Sequence, residues 1–453
     1  MRIFGLELLA LGMAMSVCAC SSSSEESAKG NSTHVMPAVP ISGPSPFAPD
    51  GCGHDDTAFF PYDFGIESDL ALVANPQDAR HLVAGWIQDN AVGVVVAITR
   101  DAGQSWARVV VPGFSLCANG AEARYYHTRL AFGPDGLLYL SVQSNNGIFP
   151  DPRNVSDARV PAAVSRDGGL TWGPVAYLDA VSDPIPQFDT LAAEPELPGA
   201  AVVAWHDNEP ATDLLGSTYL SRTTDGGGSW TRLLVNRGQA DSVPWNRVVA
   251  LPDGTLLVVA LDATLRGAVG LPGSPPVIVQ VRRSTDKGLS WSAPITVAEN
   301  AEATWASAAV TPNGTVYLGW PGLQADGSRW FFVTSSVDSG LTWLPRRPLV
   351  KPTGPLPGLA VAGDGTVGFN YTDNRHATAE KPDTRDVWFA YSRDQGRSWQ
   401  ELHLAGPFDL GSDSSFFHET AGLPDGFGSL FLQGAPNAPD GRTDVFFTRV
   451  TLK

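Results

Sequence analysis

Two sets of polar segments hold the residue types that grip sugars and carboxylates. The first set leads into short apolar runs: Glu67-Ser68-Asp69, Arg124-Tyr-Tyr-His-Thr-Arg129, Gln187-Phe188-Asp189, Trp245-Asn246-Arg247, Trp305, and Phe416-Phe417-His418-Glu419. The second set follows apolar runs: Gln88-Asp89-Asn90, Asn145-Asn146 with Asp151 and Arg153, His206-Asp207-Asn208-Glu209, and Asp373-Asn374-Arg375-His376. Guanidinium forks bind carboxylates through two parallel hydrogen bonds, and aromatic faces cover sugar C–H groups. From these segments we take Arg129, Asp189, Asp207, Trp245, Arg247, Trp305, Asp373, Arg375 and His418 as candidate substrate contacts. Each has a structural alternative. Arg129 and Arg247 serve equally as caps of inner strands, and Asp373-Asn374-Arg375 serves equally as a turn held by its own carboxylate. His127, His206 and His418 lack ligand spacing such as His-x-x-x-His, and there is no Asp-x-Asp-x-Asp run, so neither a metal nor a cofactor is expected.

What positions these residues is a repeat. Ser165-Arg-Asp167-Gly-Gly169-Leu-Thr171-Trp172 has five near-copies, at Thr99 to Trp106, Thr223 to Trp230, Ser284 to Trp291, Ser336 to Trp343 and Ser392 to Trp399. All read Ser/Thr-x-Asp-x-Gly-x-Ser/Thr-Trp. The aspartates, at 101, 167, 225, 286, 338 and 394, lie 52 to 66 residues apart. A period of this size marks a repeat architecture. Within one octad, the Asp carboxylate is expected to accept backbone N–H groups two residues on. The Gly is expected at φ > 0, and the Trp to bury its ring against the neighbouring repeat. The six aspartates are thereby assigned to structure.

Each repeat also carries an apolar segment, a turn such as Pro-Asp-Gly, and a strand rich in Val, Leu and aromatics. Leu130 to Ser141 and Val248 to Val259 are examples. Six such units each precede an octad. A seventh, from Thr420 through Asp425-Gly426 to Arg449, ends without an octad. Its three strands need a partner, since an open edge invites aggregation. We expect that strand from Ala58-Phe-Phe-Pro-Tyr62 or slightly earlier. The fold class is therefore all-β, a propeller of seven four-stranded blades closed by both chain ends, with six blades as the alternative.

The octads resemble the Asp-box repeat of sialidases and other β-propellers, over nearly the whole chain beyond the N-terminus. The resemblance implies a six-bladed enzyme that clamps a carboxylate with three arginines. It also implies an Asp as acid/base and a Tyr–Glu pair as nucleophile. Carried onto this chain, it points to Tyr371, Glu419 and Asp69 as catalytic groups, with Arg129, Arg247 and Arg375 as the arginine set. The family's Arg-Ile-Pro motif before the first octad is missing. Arg80 and Arg100 are the only arginines between residue 49 and Asp101. The expected function is glycan binding with exo-sialidase-type hydrolysis. The alternatives are a surface lectin without chemistry and a protein-assembly scaffold.

The N-terminus reads as an export signal. Met1-Arg2 precedes an apolar run from Leu8 to Val17, and Val17-Cys18-Ala19-Cys20 resembles a bacterial lipobox with Cys20 lipidated. We assign residues 1–20 to a lipoprotein signal, 21–49 to a Ser/Pro-rich tether and 50–453 to the propeller. The expected location is the bacterial cell envelope, at the outer membrane, held by lipid alone. A plain secretory signal is the alternative. The net charge of −17 argues against nucleic acid as a partner. A glycan or glycoconjugate and a monomeric state are expected. Cys52 and Cys117 remain after Cys18 and Cys20, and are expected to pair in an oxidising compartment.

Overall fold

The computed structural model describes residues 33–47, 67–89, 91–145, 158–179, 185–209, 214–237, 245–262, 277–301, 306–351, 358–382, 384–409, 418–434 and 443–452. These form a propeller of seven blades, almost without helix. The inner strands of blades 1 to 7 are Glu67–Asn75, Arg124–Phe132, Ile185–Ala193, Trp245–Ala250, Ser307–Val310, Gly358–Val361 and Glu419–Leu423. Each packs against the next around the axis, and the last packs against the first. Their neighbours are the second strands, Asp78–Gln88, Leu138–Asn145, Ala201–Glu209, Leu256–Asp262, Val316–Leu323, Val367–Asp373 and Gly426–Gly434.

Apolar residues on both faces of each blade bury themselves against the adjacent blades. Seven apolar clusters result, one for each blade interface. Aromatic residues recur at one place in the second strand, where Trp86, Trp205, Trp320 and Tyr371 are all fully buried. Burying one such ring contributes on the order of 2–3 kcal/mol.

The ring closes as a composite sheet. Thr443–Thr451 of blade 7 pairs on its outer edge with His34–Val35 and Val39–Pro40. The closing strand thus comes from before Ala58–Tyr62, which lie outside the described residues, and residues 33–47 belong to the propeller unit. At this seam Glu67, which is buried, accepts the Thr443 hydroxyl at 2.7 Å, and its N–H donates back to the Thr443 Oγ1 at 3.0 Å. Gln88 donates to the same carboxyl at 3.3 Å. Among the described residues no cation compensates Glu67, Asp89 and Asp444 lie near it, and burial pushes its pKa up to about 8.

The octads are the turns between third and fourth strands. In the first, Thr99 Oγ1 donates to Asp101 Oδ1 (2.7 Å) and accepts the Gly103 N–H (3.0 Å). Asp101 accepts the N–H groups of Gln104 and Ser105 and the Ser105 hydroxyl. The carboxylate therefore serves residues three and four on, where the sequence suggested two. Trp106 Nε1 donates to the Gly103 carbonyl at 3.2 Å. The Ser hydroxyl and N–H bonds recur at Asp225 and Asp286, whose pKa values fall to about 2 through the Ser229 or Ser290 hydroxyl and then the N–H of that residue.

Both residues after each Asp take positive φ, as in Ala102 (63°) and Gly103 (94°), or Lys287 (65°) and Gly288 (88°). The glycine also touches the preceding blade. A Cβ on Gly103 would lie 2.1 Å from Phe447, and one on Gly227 would lie 2.5 Å from Val164. The octad tryptophans are half-buried rather than enclosed. Strands alternate in direction, so all six octads share one rim with the turns between first and second strands. The Ser339 hydroxyl to Asp253 contact (2.6 Å) joins the two kinds of turn. The described parts of the polar segments fall on the opposite, upper rim.

Candidate functional site

The seven inner strands align on one register. Six run into a proline one or two residues past their ends, and Gly363 takes its place in blade 6. Five residues before that position stand Ala71, Arg129, Thr190, Arg247, Ser307, Gly358 and Glu419. Ladder pairs confirm one level: Arg129 faces Ser141, Thr190 Ala204, Arg247 Val259, Ser307 Gly319, Gly358 Asn370 and Glu419 Leu430.

Most members of this level tie one blade to the next. Thr190 and Ser307 hydroxyls accept the N–H of Val248 and Leu359, each at 2.9 Å. Arg129 Nε donates to the Asp189 carbonyl at 3.1 Å. Gly358 leaves room for the Glu419 backbone, since a Cβ there would meet Glu419 Cα at 2.7 Å. Arg247 and Glu419 depart from the pattern. They sense each other's charge, and Arg129 lies within range of both, yet no direct ion pair joins Glu419 to either arginine among the described residues. Burial lowers the Arg247 pKa and raises that of Glu419, in each case against the pull of the opposite charge. All three residues are half-buried.

Three neighbouring inner strands are bulged just above this level. Two residues oppose one at Asp69–Leu70, His127–Thr128 and Phe188–Asp189. Asp69 and His127 have φ of 53° and 58°, a conformation uncommon outside glycine and one that re-aims side chains near functional sites. Asp189 is fully buried, takes the Ser141 hydroxyl at 2.6 Å, and is pushed by burial up to about 7 despite nearby Arg129. His127, His206 and His418 are pushed down to about 4, 3 and 4 by burial. Asp69 Oδ1, Asp189 Oδ1, Thr128 Oγ1 and both ring nitrogens of His418 are buried without a hydrogen-bond partner among the described residues. Orphaned buried polar atoms are rare, and several together call for an explanation.

Tyr371, Asp373 and Arg375 gather elsewhere. Tyr371 occupies the core-aromatic place of Trp86, Trp205 and Trp320, one residue beyond Asn370, which faces Gly358. Its hydroxyl reaches outward along blade 6 to Glu401 in the outermost strand, Gln400–Asp409. Arg375 donates to Tyr371 (2.8 Å), Asp373 (2.5 Å) and Glu401 (3.1 Å), and lies 3.9 Å over the Trp388 ring. Asp373 also accepts the Arg375 N–H at 3.2 Å. Burial and then Glu401 drive the Tyr371 pKa upward, the opposite of an activated nucleophile. Of the expected groups, then, Asp69, Arg129, Asp189, Arg247 and Glu419 belong to the strands around the axis, His418 immediately precedes the last of these strands, and Tyr371, Asp373 and Arg375 form a separate outward network. Asp207 and Trp245 lie on the strands Ala201–Glu209 and Trp245–Ala250, their side chains outside the described set. Trp305, Cys20 and Cys52 lie outside the described residues. Cys117 is disulfide-bonded.

Sequence reasoning missed the bulge partner His127 as a site member, and Ser141. The signal for the shared level was present: aligning the seven inner strands on the terminal proline places Arg129, Arg247 and Glu419 in one column. At the octad rim the inner-strand ends surround a cavity of about 560 Å³, lined largely by Ala, Val and Pro, with Glu196 as its charged member. No group of three or more His, Cys, Asp or Glu suited to a metal occurs among the described residues.

No family model matches the chain, and no curated protein matches it. Solved structures do. A protein of unknown function from Dyadobacter fermentans DSM 18053 is 14% identical, with 93% of this chain and 99% of that one covered and a TM-score of 0.53. The Hadza microbial sialidase Hz136 is 16% identical, with 82% and 73% covered and a TM-score of 0.50. The α-L-arabinofuranosidase Arb93A from Fusarium graminearum is 14% identical, with 92% and 98% covered and a TM-score of 0.49. At these identities the likeness is one of fold.

Proposed function

We propose that the protein is a glycan-binding propeller of the cell envelope that takes a terminal anionic sugar at the upper end of its channel and hydrolyses its glycosidic bond. The observation that carries this reading is the single level holding Arg129, Arg247 and Glu419 without direct ion pairing, beside buried polar atoms that lack partners. A ligand carboxylate between the two guanidinium groups would satisfy both. Glu419 and the bulge carboxylate Asp69 supply the acid and base of a two-carboxylate hydrolysis. Tyr371 has no part in it, its hydroxyl being held by Glu401 and Arg375. The sialidase among the structural neighbours makes sialosides the first substrates to try.

The test is a panel of fluorogenic sialosides, glucuronides and neutral glycosides on a soluble form beginning at Thr33, which keeps the closing strands of blade 7. Turnover of an anionic glycoside with none of the neutral ones supports the proposal. Turnover of neutral glycosides alone contradicts it. Binding on a glycan array without turnover leaves a lectin, and silence in both points to a protein partner. Anchoring through Cys20 rests on the lipobox pattern. Detergent-phase partitioning that survives in the wild type and disappears in Cys20→Ala is the expected result.

A further inference from the structure

We propose that Asp189 is a positioning residue for Arg129 that carries a proton in the ligand-bound state, so that an anionic ligand binds together with a proton; this rests on the anionic-sugar reading above. Asp189 reaches Arg129 by two routes. Its carbonyl accepts Arg129 Nε at 3.1 Å, which fixes the plane of the guanidinium. Its carboxyl lies within Coulomb range of the same group but makes no direct ion pair with it. Instead Oδ2 accepts the Ser141 hydroxyl at 2.6 Å, while Oδ1 has no partner among the described residues and is buried. A fully buried carboxylate with one neutral hydrogen bond is poorly solvated, and protonation relieves the cost.

The consequence is electrostatic. An ionised Asp189 would spend the Arg129 charge internally. A neutral Asp189 leaves that charge to the ligand while the carbonyl still holds the guanidinium in place. The bulge at Phe188–Asp189 is what brings carbonyl and carboxyl to bear on Arg129 at once.

Other titratable and charged groups on the surrounding strands are Asp69 on blade 1, Arg124, His127 and Arg129 on blade 2, His206 on blade 3, Arg247 on blade 4 and Glu419 on blade 7. The histidines are held neutral well below pH 6, so they stay silent in the window where Asp189 titrates, near 7. Linkage then gives the direction: ligand affinity is full below pH 7 and falls by about tenfold per pH unit well above it, with up to one proton taken up on binding.

The experiment uses the full-length protein and N-acetylneuraminate, titrated by calorimetry from pH 5.5 to 8.5 in two buffers of different ionisation enthalpy. Asp189→Asn keeps the shape and the neutral state, so it should bind within about threefold of wild type at pH 6 and stay flat to pH 8.5. Ser141→Ala removes a bond that favours the ionised form, so its fall in affinity should shift to higher pH. Independently of any ligand, difference infrared spectra in a Glu67→Gln background, which removes the other buried carboxyl titrating in this window, should show a protonated-carboxyl band at pH 6 that is lost by pH 8.5 and is absent when Asp189→Asn is added.

A pH dependence unchanged in Asp189→Asn, or a band unaffected by that substitution, overturns the proposal. An Asp189 band of the expected kind in a protein that binds no anionic sugar overturns the glycan reading and leaves the buried proton standing.

Discussion

Arg247 and Glu419 stand at one register level of the ring, on blades 4 and 7, and feel each other's charge without touching. In a structural ion pair the two would be in contact. Their separation leaves room for a ligand between a cation and an anion. Glu419→Gln should therefore lower kcat on the best anionic glycoside by about 100-fold or more and leave the melting temperature unchanged or raised, because a buried carboxyl is removed. Steady-state kinetics and calorimetry on the same preparation check both halves.

Arg375 belongs to the scaffold of blade 6. Arg375→Ala should leave anionic-sugar affinity within twofold of wild type. It should cost stability on the order of 1 kcal/mol, a figure kept small because the side chain is partly exposed and screened. A large loss of affinity with no loss of melting temperature would return Arg375 to the site.

The octad glycines carry a double constraint. Gly103 has φ of 94° and stands where a Cβ would meet Phe447 across the closing seam. Gly103→Ala should cost about 2–3 kcal/mol. Gly314, also at positive φ but with open space around it, should cost about 1 kcal/mol when changed to Ala. Equal effects in urea unfolding would mean that the contact with blade 7 contributes nothing.

Two kinds of carboxyl pull the pH dependence of stability in opposite directions. Glu67 and Asp189 have folded pKa values of about 8 and about 7, above the ordinary 4.5 and 3.8. Their contribution is complete below those ordinary values and is lost as pH rises toward 8, by up to about 1.4 kcal/mol per pH unit for each group. The octad carboxylates Asp225 and Asp286, at about 2, contribute above pH 3.8 and lose that contribution as pH falls toward 2. Melting temperature should peak between roughly pH 4 and 5 and decline toward pH 8. Glu67→Gln should flatten the decline, and a melting curve rising from pH 5 to 8 would contradict the buried, uncharged Glu67.

The propeller was legible because its signals are local. An Asp that bonds to its own turn, a glycine at positive φ and a period near sixty need no tertiary context. The closing strand was harder. Val39 and Pro40 sit in a Pro-rich stretch that reads as tether, and only pairing with Phe447 and Phe446 makes a strand of them. In the site, Arg129, Arg247 and Glu419 were visible as polar residues leading into inner strands. Tyr371 was misleading, because residue type says nothing about which way a ring points along a blade. Its alignment with Trp86, Trp205 and Trp320 would have marked it as a core aromatic. The role of Asp189 was hidden because a bulge, which depends on strand pairing, decides where its carboxyl lies.

The central claim is that the upper end of the channel is an anion site built on Arg247 and Arg129. Its most direct test is the affinity of N-acetylneuraminate and glucuronate for the wild type and for Arg247→Met at pH 6. Arg247→Met should reduce binding of at least one of the two by about 30-fold or more, with the melting temperature unchanged or higher. Saturable binding of equal strength in wild type and Arg247→Met, or its complete absence in both, would contradict the claim.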